Sequence, residues 1–276
     1  MEQTLPLPTV MVFAGNDPSG GAGISADIET IVSMGGHVLP VITSLTVQDT
    51  QNVKRFEPVD AGLLIEQARA VLEDIPVSAF KIGMLGSVEI VEAVHSILVD
   101  YPDCPVVLDP VLRAGGGTDL ADEELIDAMI ELLFPLTTVL TPNSQEARQL
   151  AHEADTLDAC AHELLDMGCE YVLITGTHEN TPHVINSLYA NHRLLESFTW
   201  ERLPEVYHGS GCTLSSAIAG LLGHGLDPFT AVHEAQEYVW EALNNGYRLG
   251  MGQLLPNRLF WARGETEDVG EDEGSV

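Results

Sequence analysis

Apolar residues along the chain follow two different periods. Five short runs, Thr9-Val10-Met11-Val12-Phe13-Ala14, Ala79-Phe80-Lys81-Ile82, Pro105-Val106-Val107-Leu108-Asp109-Pro110-Val111, Thr137-Thr138-Val139-Leu140 and Tyr171-Val172-Leu173-Ile174, have the length and continuity of strands buried on both faces. Between and around them, apolar positions recur at helical spacing and predict helices over 24–34, 61–73, 88–99, 122–133, 143–153, 157–167 and 229–247, with another running to 222 from a glycine loop at 207–212. The segment 37–46 reads as a further β element. Alternation with aromatics over 183–190 and 192–200 predicts a hairpin at a sheet edge, with Asn191 in the turn. Strands alternating with helices imply crossover connections, so the expected fold is α/β with a mainly parallel central sheet covered by helices on both faces.

Length and charge narrow this picture. The 276 residues suit one large domain, 1–263, followed by an acidic tail, 264–276, with too little apolar content to fold. No apolar run is long enough to span a bilayer and the first residues lack a basic segment before an apolar one, so the expectation is a cytoplasmic protein. Cys104, Cys160, Cys169 and Cys212 show no metal-ligand spacing and are expected as thiols. The net charge is −31, from 42 acidic against 11 basic residues, and Lys54 and Lys81 are the only lysines. Such a field disfavours nucleic acid and anionic membrane as partners. It also repels nucleotide phosphates, so a phosphate site in this chain needs helix N-termini, a divalent cation and a few arginines.

Candidate chemistry collects where strands run into loops. The first strand is followed by Gly15-Asn16-Asp17-Pro18-Ser19-Gly20-Gly21-Ala22-Gly23, which lacks the Gly-Lys-Ser/Thr of a Walker loop and fits the dinucleotide fingerprint poorly. A helix carrying Asp27 in its first turn comes next. Gln48, after the second β segment, offers an amide that both donates and accepts, as a heterocycle edge requires, or is a solvated loop residue. Met84 suits either core or an aromatic-ring pocket. Asp109 closes its strand either as a turn cap or as a Mg²⁺ ligand, with Arg113 and the 114–118 glycine loop just beyond. Asn143 and Glu146 form either a capping box or oxygen ligands for hydrated Mg²⁺. In Tyr207-His208-Gly209-Ser210-Gly211-Cys212-Thr213, the glycines precede a helix whose first amides either gather an anion or make a plain tight turn. The same helix dipole favours a thiolate at Cys212.

Taken in order, Ala14 to Gly23, Thr46-Val47-Gln48-Asp49-Thr50, Lys81-Ile82-Gly83-Met84-Leu85, Asp109-Pro110-Val111, Thr141-Pro142-Asn143-x-x-Glu146 and His208-Gly209-Ser210-Gly211-Cys212-Thr213 resemble the bacterial hydroxymethylpyrimidine/phosphomethylpyrimidine kinases of thiamine biosynthesis. The likeness covers roughly residues 9 to 250. It implies a ribokinase-like three-layer sandwich, ATP and Mg²⁺ as co-substrates, and successive phosphorylation of a pyrimidine alcohol and its monophosphate. By the same resemblance, Gln48 bonds the aminopyrimidine with Asp27, Met84 and Val111 around the ring. Asp109, Asn143 and Glu146 organise the metal. Gly209, Ser210, Gly211 and Cys212 form an anion hole in which Cys212 assists deprotonation of the alcohol. Thr175 stands where the family usually carries a lysine, in Thr175-Gly176-Thr177-His178 beside the phosphates, and Arg113 is expected to replace a charge missing from the 114–117 loop. The resemblance further implies a homo-oligomer, generally a dimer or larger. A pyridoxal or pyridoxine kinase and a catalytically silent ligand-binding relative are the competing readings.

Overall fold

The computed structural model describes residues 7–262; the acidic tail expected at 264–276 lies outside them. One nine-stranded sheet, in the order β3-β2-β1-β4-β5-β6-β7-β8-β9, divides the molecule. Its middle six strands are parallel: β2 (His37–Gln48), β1 (Thr9–Asn16), β4 (Ala79–Ile82), β5 (Val106–Leu108), β6 (Val139–Leu140) and β7 (Tyr171–Ile174). Antiparallel strands close both sides, β3 (Val53–Pro58) on β2 and the hairpin of β8 (His183–Ala190) and β9 (Arg193–Glu201) on β7.

The continuous apolar runs serve two cores at once because side chains alternate across a strand. Met11 and Phe13 of β1, with Phe80 and Ile82 of β4, pack against α2 (Ala61–Leu72), α3 (Val88–Leu98), α4 (Glu123–Ala128), α5 (Ser144–Leu150) and α6 (Leu157–Asp166). Val10, Val12 and Ala14 face the other way, onto α1 (Gly23–Ser33), α7 (Ser210–Gly223) and α8 (Pro228–Asn244). The result is a helix-sheet-helix sandwich, as the alternation of elements predicts.

Four details depart from the sequence pattern. The apolar rhythm predicts nothing over 53–58, yet β3 forms there; it is an edge strand with exposed Lys54, Arg55 and Glu57, a composition that edges tolerate and that hides them from a hydrophobic search. The helix expected over 122–133 becomes a π-turn at Met129–Leu133 and then a 3₁₀ turn containing Pro135. The helix expected to reach 153 stops at Leu150, where Ala151 leaves helical geometry at φ −111°, ψ 68°. His192 belongs to the hairpin turn rather than to β9. Asn191 and His192 both have positive φ, 51° and 52°, the twist that a two-residue hairpin turn requires.

Candidate active site

The parallel strands all deliver their C-terminal ends to one edge, where ligands of open α/β sheets collect. β1 leads to Asp17, β4 to Gly83 and Met84, β5 to Asp109, β6 to Asn143 and β7 to Thr175. Opposite them α7 begins. Its cap, Gly209, is left-handed at φ 82°, and a Cβ there would collide with the Gly21 carbonyl and come 2.9 Å from Arg258 Nη2. Thr213 N and Oγ1 both donate to the Gly209 carbonyl, at 2.9 and 2.7 Å. With that carbonyl committed to Thr213, the amides of Ser210, Gly211 and Cys212 are first-turn donors without intrahelical acceptors. Gly211 is exposed, and a Cβ on it would sit 3.5 Å from Asp109 Oδ2. The helix start therefore lies directly against Asp109.

Asp109 adjoins a buried charge network. Asp27 on α1 and Lys81 on β4 are both fully buried and paired at 2.9 Å, and Ser216 Oγ on α7 donates to the same Asp27 oxygen at 2.6 Å. The other oxygen, Oδ2, has no partner among the described residues. Burial opposes the charge on Lys81, but Asp27, with lesser contributions from Cys212 and Asp109, raises its pKa above the ordinary lysine range. Ser215, the residue before Ser216, donates to Asp109 Oδ2 at 3.3 Å. Adjacent serines of one helix thus hold the two carboxylates.

Burial pushes the Asp109 carboxyl up to about 6, with Lys81 pulling it down, Asp27 adding to the rise and the Ser215 bond opposing it. Glu146 is pushed up to about 8, by burial first and then by Asp109. The Cys212 thiol is pushed up to about 11 by burial, with Asp27 and Asp109 adding to the rise and Lys81 and the Gly23 amide opposing it. Burial and the two carboxylates thus oppose the thiolate that the helix dipole favours at Cys212, while Lys81 and the Gly23 amide support it.

Asn143 and Glu146 form the capping box. Asn143 Oδ1 accepts from the amides of Gln145 and Glu146 at 2.9 and 3.0 Å, while Glu146 Oε2 accepts from Asn143 N at 2.9 Å. Glu146 Oε1 faces Leu112 N at 3.4 Å. Among the described residues, no three His, Cys, Asp or Glu side chains enclose a metal position. What the geometry offers is two mutually repelling buried carboxylates, a donor set that suits a cation keeping most of its waters.

Beside Gln48, a cavity of about 380 Å³ is bordered by Gln48, Pro18, Ser19, Thr50 and Met251. The Gln48 NH₂ group donates to Thr46 Oγ1 at 2.6 Å, and that hydroxyl donates to the Asn16 carbonyl at 2.8 Å, which fixes the amide and leaves its oxygen without a partner among the described residues. Asp27, Met84 and Val111 do not line this cavity; Asp27 is fully buried against Lys81 and Ser216, and Met84 and Val111 are half-buried. Three further positions are committed to the protein itself. Gly176 has no room for a side chain against Ile185 and donates its amide to Asn186 Oδ1 at 3.0 Å. Thr175 pairs with the Asn143 segment through its backbone. Arg113 is exposed and held by Asp119 at 2.7 Å within its own loop.

Sequence reasoning did not single out Asp17, His208, Lys81 or Arg258 as site residues. Asp17 accepts from the Ser19 and Ala22 amides, both at 2.8 Å, and pairs with His208 Nε2 at 2.8 Å, tying the first glycine loop to the turn before α7. Burial works against its charge, but the His208 and Ser19 bonds lower its pKa overall. A lone lysine in an otherwise apolar strand was the available signal for Lys81. Arg258 had none.

The profile of the phosphomethylpyrimidine kinase family matches residues 17–257. The chain belongs to that family. It is 35% identical over 245 residues to the hydroxymethylpyrimidine/phosphomethylpyrimidine kinase of Aquifex aeolicus, covering 87% of this chain and 96% of that one. It is 36% identical over 272 residues to the thiamine biosynthesis bifunctional protein ThiED of Geobacter sulfurreducens, covering 96% of this chain but 54% of that longer protein. Among solved structures, the phosphomethylpyrimidine kinase of Clostridium difficile superposes with TM-score 0.74 at 33% identity, over 86% of this chain and 99% of the other. The pyridoxal kinase of Bacillus subtilis, in complex with ADP, gives 0.83 at 29% identity, over 93% and 99%. The sandwich is accordingly the ribokinase-like one that this family shares with the pyridoxal kinases.

Proposed function

We propose that the protein transfers the γ-phosphoryl of ATP to 4-amino-5-hydroxymethyl-2-methylpyrimidine and to its monophosphate. The observation that carries this is the start of α7: three amides without intrahelical acceptors, left-handed Gly209 behind them and Asp109 in front, in a chain of this family. Pre-oriented donors aimed at a transferring phosphoryl group stabilise the charge that develops on it without reorganising. Complexes of the related pyridoxal kinase of Staphylococcus aureus with AMP-PCP support ATP as donor. Asp109, with Glu146 through water, would hold a hydrated Mg²⁺, which when bound neutralises phosphate charge. Gln48 presents its free amide oxygen to the ring's amino group at the cavity wall. Cys212 Sγ, whose charged form Lys81 favours, would take the alcohol proton as a thiolate, having first given its own proton to solvent.

An assay of ADP release with the pyrimidine alcohol, its monophosphate and pyridoxal tests the substrate. Turnover on both pyrimidines and little on pyridoxal is expected; turnover on pyridoxal alone, or on none, overturns the reading. If Cys212 is the base, Cys212→Ala lowers kcat by about 10²-fold or more. Near-native kcat in that variant removes Cys212 from the role.

A further inference from the structure

The largest fully buried side chain described in the molecule is an arginine, 1% exposed, in a protein with 11 basic residues. Arg258 comes from the segment after α8, outside the sheet and the strand-end loops. Its backbone is fastened to α8: Tyr238 OH donates to its carbonyl at 2.7 Å, and Asn257 N donates to the Ala242 carbonyl at 2.8 Å. From that anchor the guanidinium reaches three elements. Nε donates to Thr213 Oγ1 at 3.0 Å, Nη1 to Glu29 of α1 at 3.1 Å, and Nη2 to the carbonyl of Gly21 in the first glycine loop.

Thr213 Oγ1 in turn donates to the carbonyl of left-handed Gly209. Arg258, Thr213 and Gly209 therefore form a chain of donors ending at the peptide whose orientation frees the first-turn amides of α7. The Gly21 carbonyl lies where a Cβ on Gly209 would have to go, so the two loops are pressed together at this point. The Asp17–His208 pair crosses between the same two loops. A guanidinium fork supplies fixed donors in three directions, which a flexible ammonium does not.

We propose that Arg258 is a positioning residue for phosphoryl transfer: it sets the Gly209 peptide, and with it the amides of Ser210, Gly211 and Cys212, in register with the loop that follows β1. It touches neither nucleotide nor alcohol and acts through Thr213 and Gly21. Its charge is paired with Glu29, so geometry rather than net potential is what it supplies. The inference rests on ATP being the ligand of the α7 start, but not on which alcohol receives the phosphate.

The test compares Arg258→Lys and Thr213→Val with the unaltered protein. Binding of a non-hydrolysable ATP analogue is followed by calorimetry, steady-state rates by ADP release, and melting temperature by circular dichroism. Folded Arg258→Lys is expected to bind the analogue about fivefold or more weakly and to lose about tenfold or more in kcat. Its KM for the alcohol should stay within about twofold. Thr213→Val, which removes only the middle link, should move the same two quantities in the same direction while keeping its fold. Analogue affinity and kcat unchanged in both folded variants overturn the proposal, as does a uniform loss in both substrates' KM with no change in kcat. If Arg258→Lys does not fold, Thr213→Val alone decides. A protein that phosphorylates no pyrimidine, yet whose variants still bind the analogue more weakly, removes the substrate assignment and leaves this inference standing.

Discussion

Strand geometry explains why Lys81 ends where it does. Phe80 and Ile82 pack on one face of β4, so the residue between them must point to the other, toward α1 and α7. There it meets Asp27, which Ser216 also holds. A buried ion pair adds little over a well-packed apolar pair, but removing one partner strands a charge. Lys81→Met is therefore expected to destabilise the fold by about 3–5 kcal/mol, with Lys81→Met/Asp27→Asn recovering much of that loss but not the activity. Urea denaturation of the two variants measures this; equal stabilities would show that Asp27 is not left uncompensated. Asp109 and Glu146 give a second residue-level expectation. Their folded values, about 6 and about 8, lie above the ordinary carboxylate range, so between roughly pH 4 and 8 the native state holds protons that the unfolded chain has released. Stability from this pair is thus present at the acid end of that window and is lost as pH rises through it. Asp49 and Glu179, lowered to about 2, contribute in the opposite sense, and their contribution is lost only as pH falls below the window. The melting temperature of the nucleotide-free protein should fall from pH 5 to pH 8, and Glu146→Gln should flatten the upper part of the slope. A rise over that range in the unaltered protein would contradict it.

At the scale of elements, α7 is the structure that turns sequence into a site, and the two glycines at its start serve it in different ways. Gly209 has positive φ and no space, so Gly209→Ala combines about 1–2 kcal/mol of backbone strain with a steric collision. Gly211 is helical, exposed and open, and a Cβ there meets only Asp109 at ordinary contact distance. Alanine at that position should leave the melting temperature unchanged or raise it, by up to about 1 kcal/mol of helix stability. If phosphate must approach the Gly211 amide, the same Gly211→Ala variant raises the KM for ATP by about fivefold or more, a separation of stability from function that calorimetry and kinetics read independently. An unchanged ATP KM would mean that no phosphate comes near this turn. These glycines were legible in the chain because Gly-Ser-Gly ahead of a run of small apolar residues marks a backbone that turns sharply into a closely packed helix. The layers were legible because apolar runs of strand length alternate with helical spacing. β3 was not, since an edge strand needs no apolar pattern, and neither was the commitment of the Gly176 amide to Asn186, which depends on a hairpin strand ten residues away. Arg258 was out of reach for a stronger reason. Its partners lie 45, 229 and 237 residues distant, and only the packed fold brings them together.

The whole molecule sets the background against which these local devices act. A net charge of −31 repels a polyanionic nucleotide at every stage of approach, and the positive potential at the site is local: helix amides, Lys81 already paired with Asp27, and Arg258 already paired with Glu29. Short-range hydrogen bonds from first-turn amides survive salt, whereas the long-range repulsion does not, because the screening length falls from about 10 Å at 0.1 M to about 3 Å at 1 M. Raising ionic strength should therefore lower the KM for ATP in this protein, provided free Mg²⁺ is held constant. An enzyme that draws nucleotide in with a positive cleft would show the opposite slope. The same screening relieves repulsion among 42 acidic side chains, so the melting temperature should rise over the same salt range. Titrating KCl at fixed free Mg²⁺ and following both quantities separates the two contributions. A KM for ATP that climbs with salt would mean that the nucleotide is recognised by exposed cations elsewhere on the surface rather than by the backbone at the start of α7.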